Sequence, residues 1–169
     1  MANEALRDAI RHNSWATLEL LAFCGDLTEE QLRRAGTGTF GDILATFNHV
    51  VYSDAGYLRS LGGHAATWTD EEDEVVGLQE LRRRVEETAQ GWEQLLSDQI
   101  DAERVLILDQ GTYGTHAGIV IAQVLHHGSA HREQICAILT ALGKEPPNVQ
   151  DWAYADASGR SWEVEPARR

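Results

Sequence analysis

Cysteine, basic residues and long apolar runs are all scarce in this chain of 169 residues. The two cysteines, Cys24 and Cys136, have no CxxC partner. That excludes a cysteine-rich zinc module, and both are expected to be reduced, mostly buried thiols. Lys and Arg total 14 against 27 Asp and Glu, a net charge of −13. Phosphate recognition needs a basic face, so nucleic acid is not an expected partner, and neither is an anionic membrane surface. No segment reaches the roughly 18 apolar residues of a membrane span. The N-terminal MANEALRDAIRHN lacks the apolar stretch of a signal peptide, so a cytoplasmic location is expected. No internal repeat or low-complexity segment occurs.

What remains suits one soluble domain over 1–169, with 43% hydrophobic and 24% charged residues. Residues from about Asn3 to Phe23 carry one apolar face at helical spacing, with Asn13 on that same face. Asn13 can be a surface residue in a slightly rotated register or can look into a polar centre. Gly25 closes the segment, and Thr28 caps a short helix after it. Thr39-Phe40-Gly41-Asp42 resembles a capping box, with Asp in place of Glu, opening a helix that runs to about Leu61. Phe40, Ile43, Leu44, Phe47, Val50, Val51, Leu58 and Leu61 are its expected buried side. His49 sits mid-helix, with Tyr52 and Ser53 as its i+3 and i+4 neighbours.

The acidic run within Thr69–Glu74 lacks the alternating ligands and glycine turn of an EF-hand and reads as a solvated loop. Leu78 to about Ile100 alternates apolar spacings of three and four, a bundle seam, with Arg82, Arg83, Arg84, Glu86 and Glu87 on the outside. Arg104–Leu108 is the one plausible strand in this half of the chain. A long helix follows from about Thr115 to Leu142, and Gly143 and Pro146-Pro147 end it. The tail carries Trp152, Tyr154 and Trp162 around a turn at 156–159. It is expected to pack on the bundle, partly irregular. The fold class is therefore all-α: a four-helix bundle with one short extra helix.

The last long helix carries the chemistry. On it His127 and His131 stand one above the other, offset by about 40° and roughly 6 Å of rise, so both can grip one metal ion from the same side. His126 points about 100° away. Seven histidines give roughly 0.3 such pairs by chance, so the spacing alone is a weak motif. Gln123 and Gln134 extend the pair into a polar stripe on a face that should be apolar. Such a stripe must be satisfied, either by a metal or by partners in a polar core; spacing leaves both open. A third ligand must come from another element, and His49 is the best placed.

Three stretches, in this order, resemble the DinB family. Ile43–Asp54, containing Asn48-His49 and Asp54, is similar to its NH…AD helix. His127-Gly-Ser-Ala-His131-Arg-Glu-Gln134 is similar to its HxxxHRGQ helix. Leu142–Asp151 is similar to the G…PP…D exit after it. Glu133 departs from the pattern, standing where the family has glycine, and its direction places it away from the histidines. The resemblance covers nearly the whole chain. It implies a four-helix bundle holding one divalent metal ion through His49, His127 and His131, and it implies that homodimers are common. Relatives include bacillithiol-using thiol S-transferases and a mycothiol-dependent maleylpyruvate isomerase.

Three neutral histidines leave coordination positions for water or a small-molecule substrate. The expected function is a metal-dependent enzyme of small-molecule metabolism or detoxification, with thiol-transfer or hydrolytic chemistry. The alternative is a metal-binding stress or scaffold protein without turnover. Zinc and nickel are the candidate metals, a low-molecular-weight thiol a candidate co-substrate. Asn13, Tyr52, Asp54 and Gln134 are candidate groups around the metal or substrate. No general base stands out.

Overall fold

The computed structural model describes residues 2–64, 66–68 and 75–164, with side chains from residue 4 onward. The acidic run at 69–74 lies outside the described residues. Four long helices form a closed ring: α1 (Ala2–Cys24), α3 (Ile43–Ser60), α4 (Leu78–Leu95) and α5 (Ala117–Ala141). α1 packs on α4 and α5, and α3 packs on the same two, so α1 lies diagonal to α3 and α4 to α5. Both diagonal connections are long, as crossing a bundle requires. The first carries a short helix α2 (Glu29–Leu32), capped by Thr28 in a reciprocal box with Gln31. The second carries a hairpin of β1 (Val105–Leu108) and β2 (Tyr113–His116), antiparallel, with Val105 opposite His116 and Leu108 opposite Tyr113. After α5 the chain turns back into α6 (Asp151–Ala157), which docks on α1.

Several local expectations are corrected. Asp42, not Thr39, caps α3: its Oδ1 accepts from Ala45 N at 2.7 Å. The Thr39 hydroxyl is used inside the loop, accepting from Gly36 N at 3.0 Å, so the helix starts one turn late. Phe40 therefore falls outside the helix and is 54% exposed. α4 ends at Leu95 rather than near Ile100. Arg84 is buried, its Nε donating to Glu80 at 2.9 Å and its guanidinium 4.7 Å from the centre of the Trp68 ring. β2 takes residues assigned to the start of α5, because pairing with β1 satisfies their backbone. Of the tail's three aromatics Tyr154 docks, against Trp15 and His12, while Trp152 and Trp162 are both 80% exposed; Val149, ahead of them in the chain, is buried in the core.

The core has two apolar clusters. One contains Leu20, Ile43, Phe47, Leu81 and Ile135. The other contains Ile10, Leu58, Trp92, Leu96 and Val124. Along every long helix a polar level falls between them: Asn13 and Thr17 on α1, Asp54 on α3, Thr88 on α4, Arg132 on α5. Arg132 is 4% exposed. Its Nη1 donates to the Asn13 carbonyl and Oδ1 at 3.2 and 2.7 Å and to Thr17 Oγ1 at 3.3 Å. Asp54 Oδ1 accepts from Trp92 Nε1 at 3.3 Å.

Gly128 makes this level possible. A Cβ there would stand 2.3 Å from Asn13 Oδ1 and 2.8 Å from Arg132 Nη1. Alanine gains about 1 kcal/mol of helix propensity over glycine, but overpacking costs about 1–3 kcal/mol, and here it also disturbs a buried cation's partners. Gly128→Ala is therefore expected to lower stability in a urea titration. A midpoint at or above wild type would show that Asn13 and Arg132 move aside freely.

Candidate metal centre

α3 and α5 are neighbours running in opposite directions, so His49 faces the α5 turn bearing His127 and His131. His49 and His127 bring their Nε2 atoms to 3.0 Å. One nitrogen from each of His49, His127 and His131 lies within 4.8 Å of the others, and all three residues are part-buried. The ring centres of the three pairs are 4.5 to 4.9 Å apart. Two imidazole nitrogens bound tetrahedrally to one zinc ion stand about 3.3 Å apart, so the cluster needs only small adjustments to take an ion. Burial, and then the neighbouring histidines, hold His127 down at about 4. It is thus neutral at pH 7, the form that ligates a metal.

The surroundings fix the rings. His131 Nδ1 lies 2.9 Å from Gln134 Oε1, and that oxygen also accepts from Phe40 N at 3.0 Å. An acceptor at Nδ1 sets the proton there and leaves Nε2 as the ligating atom. Phe40 stacks on His49 with ring centres 4.0 Å apart and presents an edge to His131 at 5.5 Å. On the other side Tyr57 meets His127 edge-on at 5.7 Å, its hydroxyl accepting from Gln123 Nε2 at 3.3 Å. Both glutamines of the polar stripe therefore have partners at the cluster's margin. His126 is exposed and turned away, as is Glu133.

A model of the DinB family matches residues 1–165. The chain belongs to the DinB family. No curated protein matches it. Within this DinB protein the structure unites His49, His127 and His131 and adds Gln134 beside them. It does not bring the other three candidates onto the histidines. Asn13 and Asp54 face the bundle interior because α1 lies diagonal to α3 and Asp54 is rotated some 140° from His49. Tyr52 lines a neighbouring cavity. Neither thiol offers a nucleophile: burial pushes Cys24 up to about 12 and Cys136 to about 11.

Sequence reasoning missed Phe40, Tyr57 and Arg132. Tyr57 had a signal, standing eight residues after His49 on one face of the helix. Arg132 lay within the motif itself. Phe40 reaches the histidines only through the loop's tertiary path.

Burial raises the Asp54 carboxyl from 3.8 to about 6, opposed by the Trp92 hydrogen bond and by Arg132. Between those values the folded state holds a proton that the unfolded chain has lost. Stability must then fall as pH rises through that window, with the full penalty above it. In paired unfolding curves, wild type is expected to lose stability relative to Asp54→Asn from pH 4 to 6 and to hold a constant difference above. A change in the opposite direction would mean that Asp54 is held as a carboxylate.

Proposed function

We propose that this DinB protein is a metal-dependent enzyme acting on small molecules, with His49, His127 and His131 holding one divalent transition ion, zinc or nickel. The observation that carries the reading is the three-histidine cluster itself. No further His, Cys, Asp or Glu among the described residues joins the group. Such a donor set leaves coordination positions open, as in catalytic rather than structural sites. A divalent ion bound there would act as a Lewis acid, lowering the pKa of a bound water or holding a bound thiol as thiolate. Thiol transfer and hydrolysis are the two chemistries this suits, and a low-molecular-weight thiol is the co-substrate the first would need.

The protein's own contribution is orientation and shielding. Gln134 holds His131 in one tautomer. Phe40 and Tyr57 flank the histidines and limit water on two sides. The neutral state of His127 leaves its nitrogen available without proton loss at pH 7. The part-buried position keeps the centre reachable for a small molecule, which argues against the rival reading of a sealed metal scaffold. The reading further includes a homodimer in the cytoplasm, with no nucleic-acid or membrane partner; the charge of −13 supports the last two. Among the described residues no helix is long and apolar enough to cross a membrane.

Elemental analysis is expected to find about one ion per chain in wild type, and little in His131→Ala, since two ligands hold an ion poorly. Gln134→Ala should weaken zinc binding about 10- to 100-fold, the usual cost of losing such a supporting bond. His126→Ala should leave metal content unchanged. Undiminished metal in His131→Ala would refute the assignment.

His49 gives an independent check through stability, because an ion bound only by the native state stabilises it. His49→Ala should lower the melting temperature of metal-loaded protein far more than that of chelator-treated protein. Equal losses in both would make His49 a core residue only.

A further inference from the structure

The polar face of α3 does not stop at His49. Tyr52, Ser53, Tyr57 and Ser60 continue it toward the hairpin, and there they form one wall of a cavity of about 730 Å³. The hairpin from Arg104 to Gly111 forms the opposite wall. Tyr57 belongs to both places, since its ring meets His127 on one side and lines the cavity on the other. The metal centre and the cavity are thus one ring apart.

In a chain where acids outnumber bases 27 to 14, one cation of the lining stands out, Arg104. Seven arginines, from Arg7 to Arg160, each pair with a carboxylate. Arg104 does not: its Nη2 donates to the Leu61 carbonyl at 2.6 Å, and no carboxylate among the described residues lies within ion-pair distance. A guanidinium has five N–H donors in a fork that matches a carboxylate, so most of its capacity remains. The hairpin tip is also unusual. Asp109 and Gln110 both adopt left-handed backbone, with φ of 49° and 56°. Non-glycine residues seldom do so, and such conformations gather at binding sites.

We infer that this cavity is the substrate compartment of the metal centre and takes an elongated organic anion, its carboxylate on Arg104 and its reacting end at the histidines. Leu61, which Arg104 holds, follows Tyr57 by one turn, about 6 Å of rise. Tyr57 in turn meets His127 at 5.7 Å, so a ligand that joins Arg104 to the histidines must pass Tyr57, which calls for an extended chain rather than a compact anion. Ile107, which is 65% exposed, and Leu108 supply the apolar wall for its middle. This inference rests on the metal reading for the ligand's reacting end but not for its anionic end, so the two can fail separately.

The test uses two arms on the full chain. In the first, zinc-loaded protein is titrated calorimetrically with suberic acid monohydroxamate, which carries a metal-binding head and a distal carboxylate, and with octanohydroxamate, which has the head alone. The carboxylate-bearing probe is expected to bind at least tenfold more tightly. Arg104→Gln and Ile107→Glu should each erase that preference; the second alters an exposed position and spares the fold. Equal affinities in wild type would overturn the inference while leaving the metal site intact. In the second arm, metal-stripped protein is titrated with octanoate and with octanamide while backbone amide shifts are followed. Octanoate should move Tyr57 and residues 104–111, and octanamide should not. If zinc fails to bind, this arm alone decides: octanoate shifts at the cavity uphold the anion site, and their absence overturns it.

Discussion

The fixed point of this bundle is a buried cation. Arg132 sits between two apolar clusters with its guanidinium on the Asn13 carbonyl and side chain and on Thr17. Burial brings it down to about 10, so it stays charged at neutral pH. A buried charge is tolerated only with partners in place. That requirement sets the approach of α1 to α5 and excludes any side chain at Gly128. The same turn of α5 that sends Gly128 and Arg132 inward sends His127 and His131 outward onto α3. Core register and histidine placement are therefore one constraint, met by one stretch of sequence.

The histidine cluster is built on the outer side of that turn. His49 arrives from α3 because α3 and α5 are ring neighbours, and the antiparallel arrangement lets Tyr57 reach His127 while Phe40 covers the opposite edge. Gln134 and Gln123, one turn outside the pair on either side, orient His131 and Tyr57. The result is a cluster that is part-buried but not enclosed. The hairpin adds a second wall beyond Tyr57 and turns an open helix face into a cavity. Without that connection the α3 face beyond Tyr57 would be unwalled.

Long periodic segments made the four helices readable, since a 3.6-residue period with capping and breaking residues admits few alternatives. Their ends were less readable. Thr39 and Asp42 are both competent caps, and the choice depended on what else Thr39 could bond in the folded loop. The β2 residues carry no strand pattern of their own and became a strand only by pairing with β1. Arg84 was assigned to the surface by its type; Trp68, far off in sequence, gave its guanidinium an aromatic face and drew it in.

The sequence by itself determined the bundle, the i, i+4 histidine pair and the net acidity, because these follow from local spacing and summed charge. It also named His49, through mid-helix placement and family resemblance. Tertiary structure alone decided which candidates share a site. Asn13 and Asp54 serve a buried polar level, and Tyr57 and Phe40 serve the histidines, because helix rotation and diagonal packing, neither encoded in spacing along one helix, assign each polar residue to the inside or the outside of the ring.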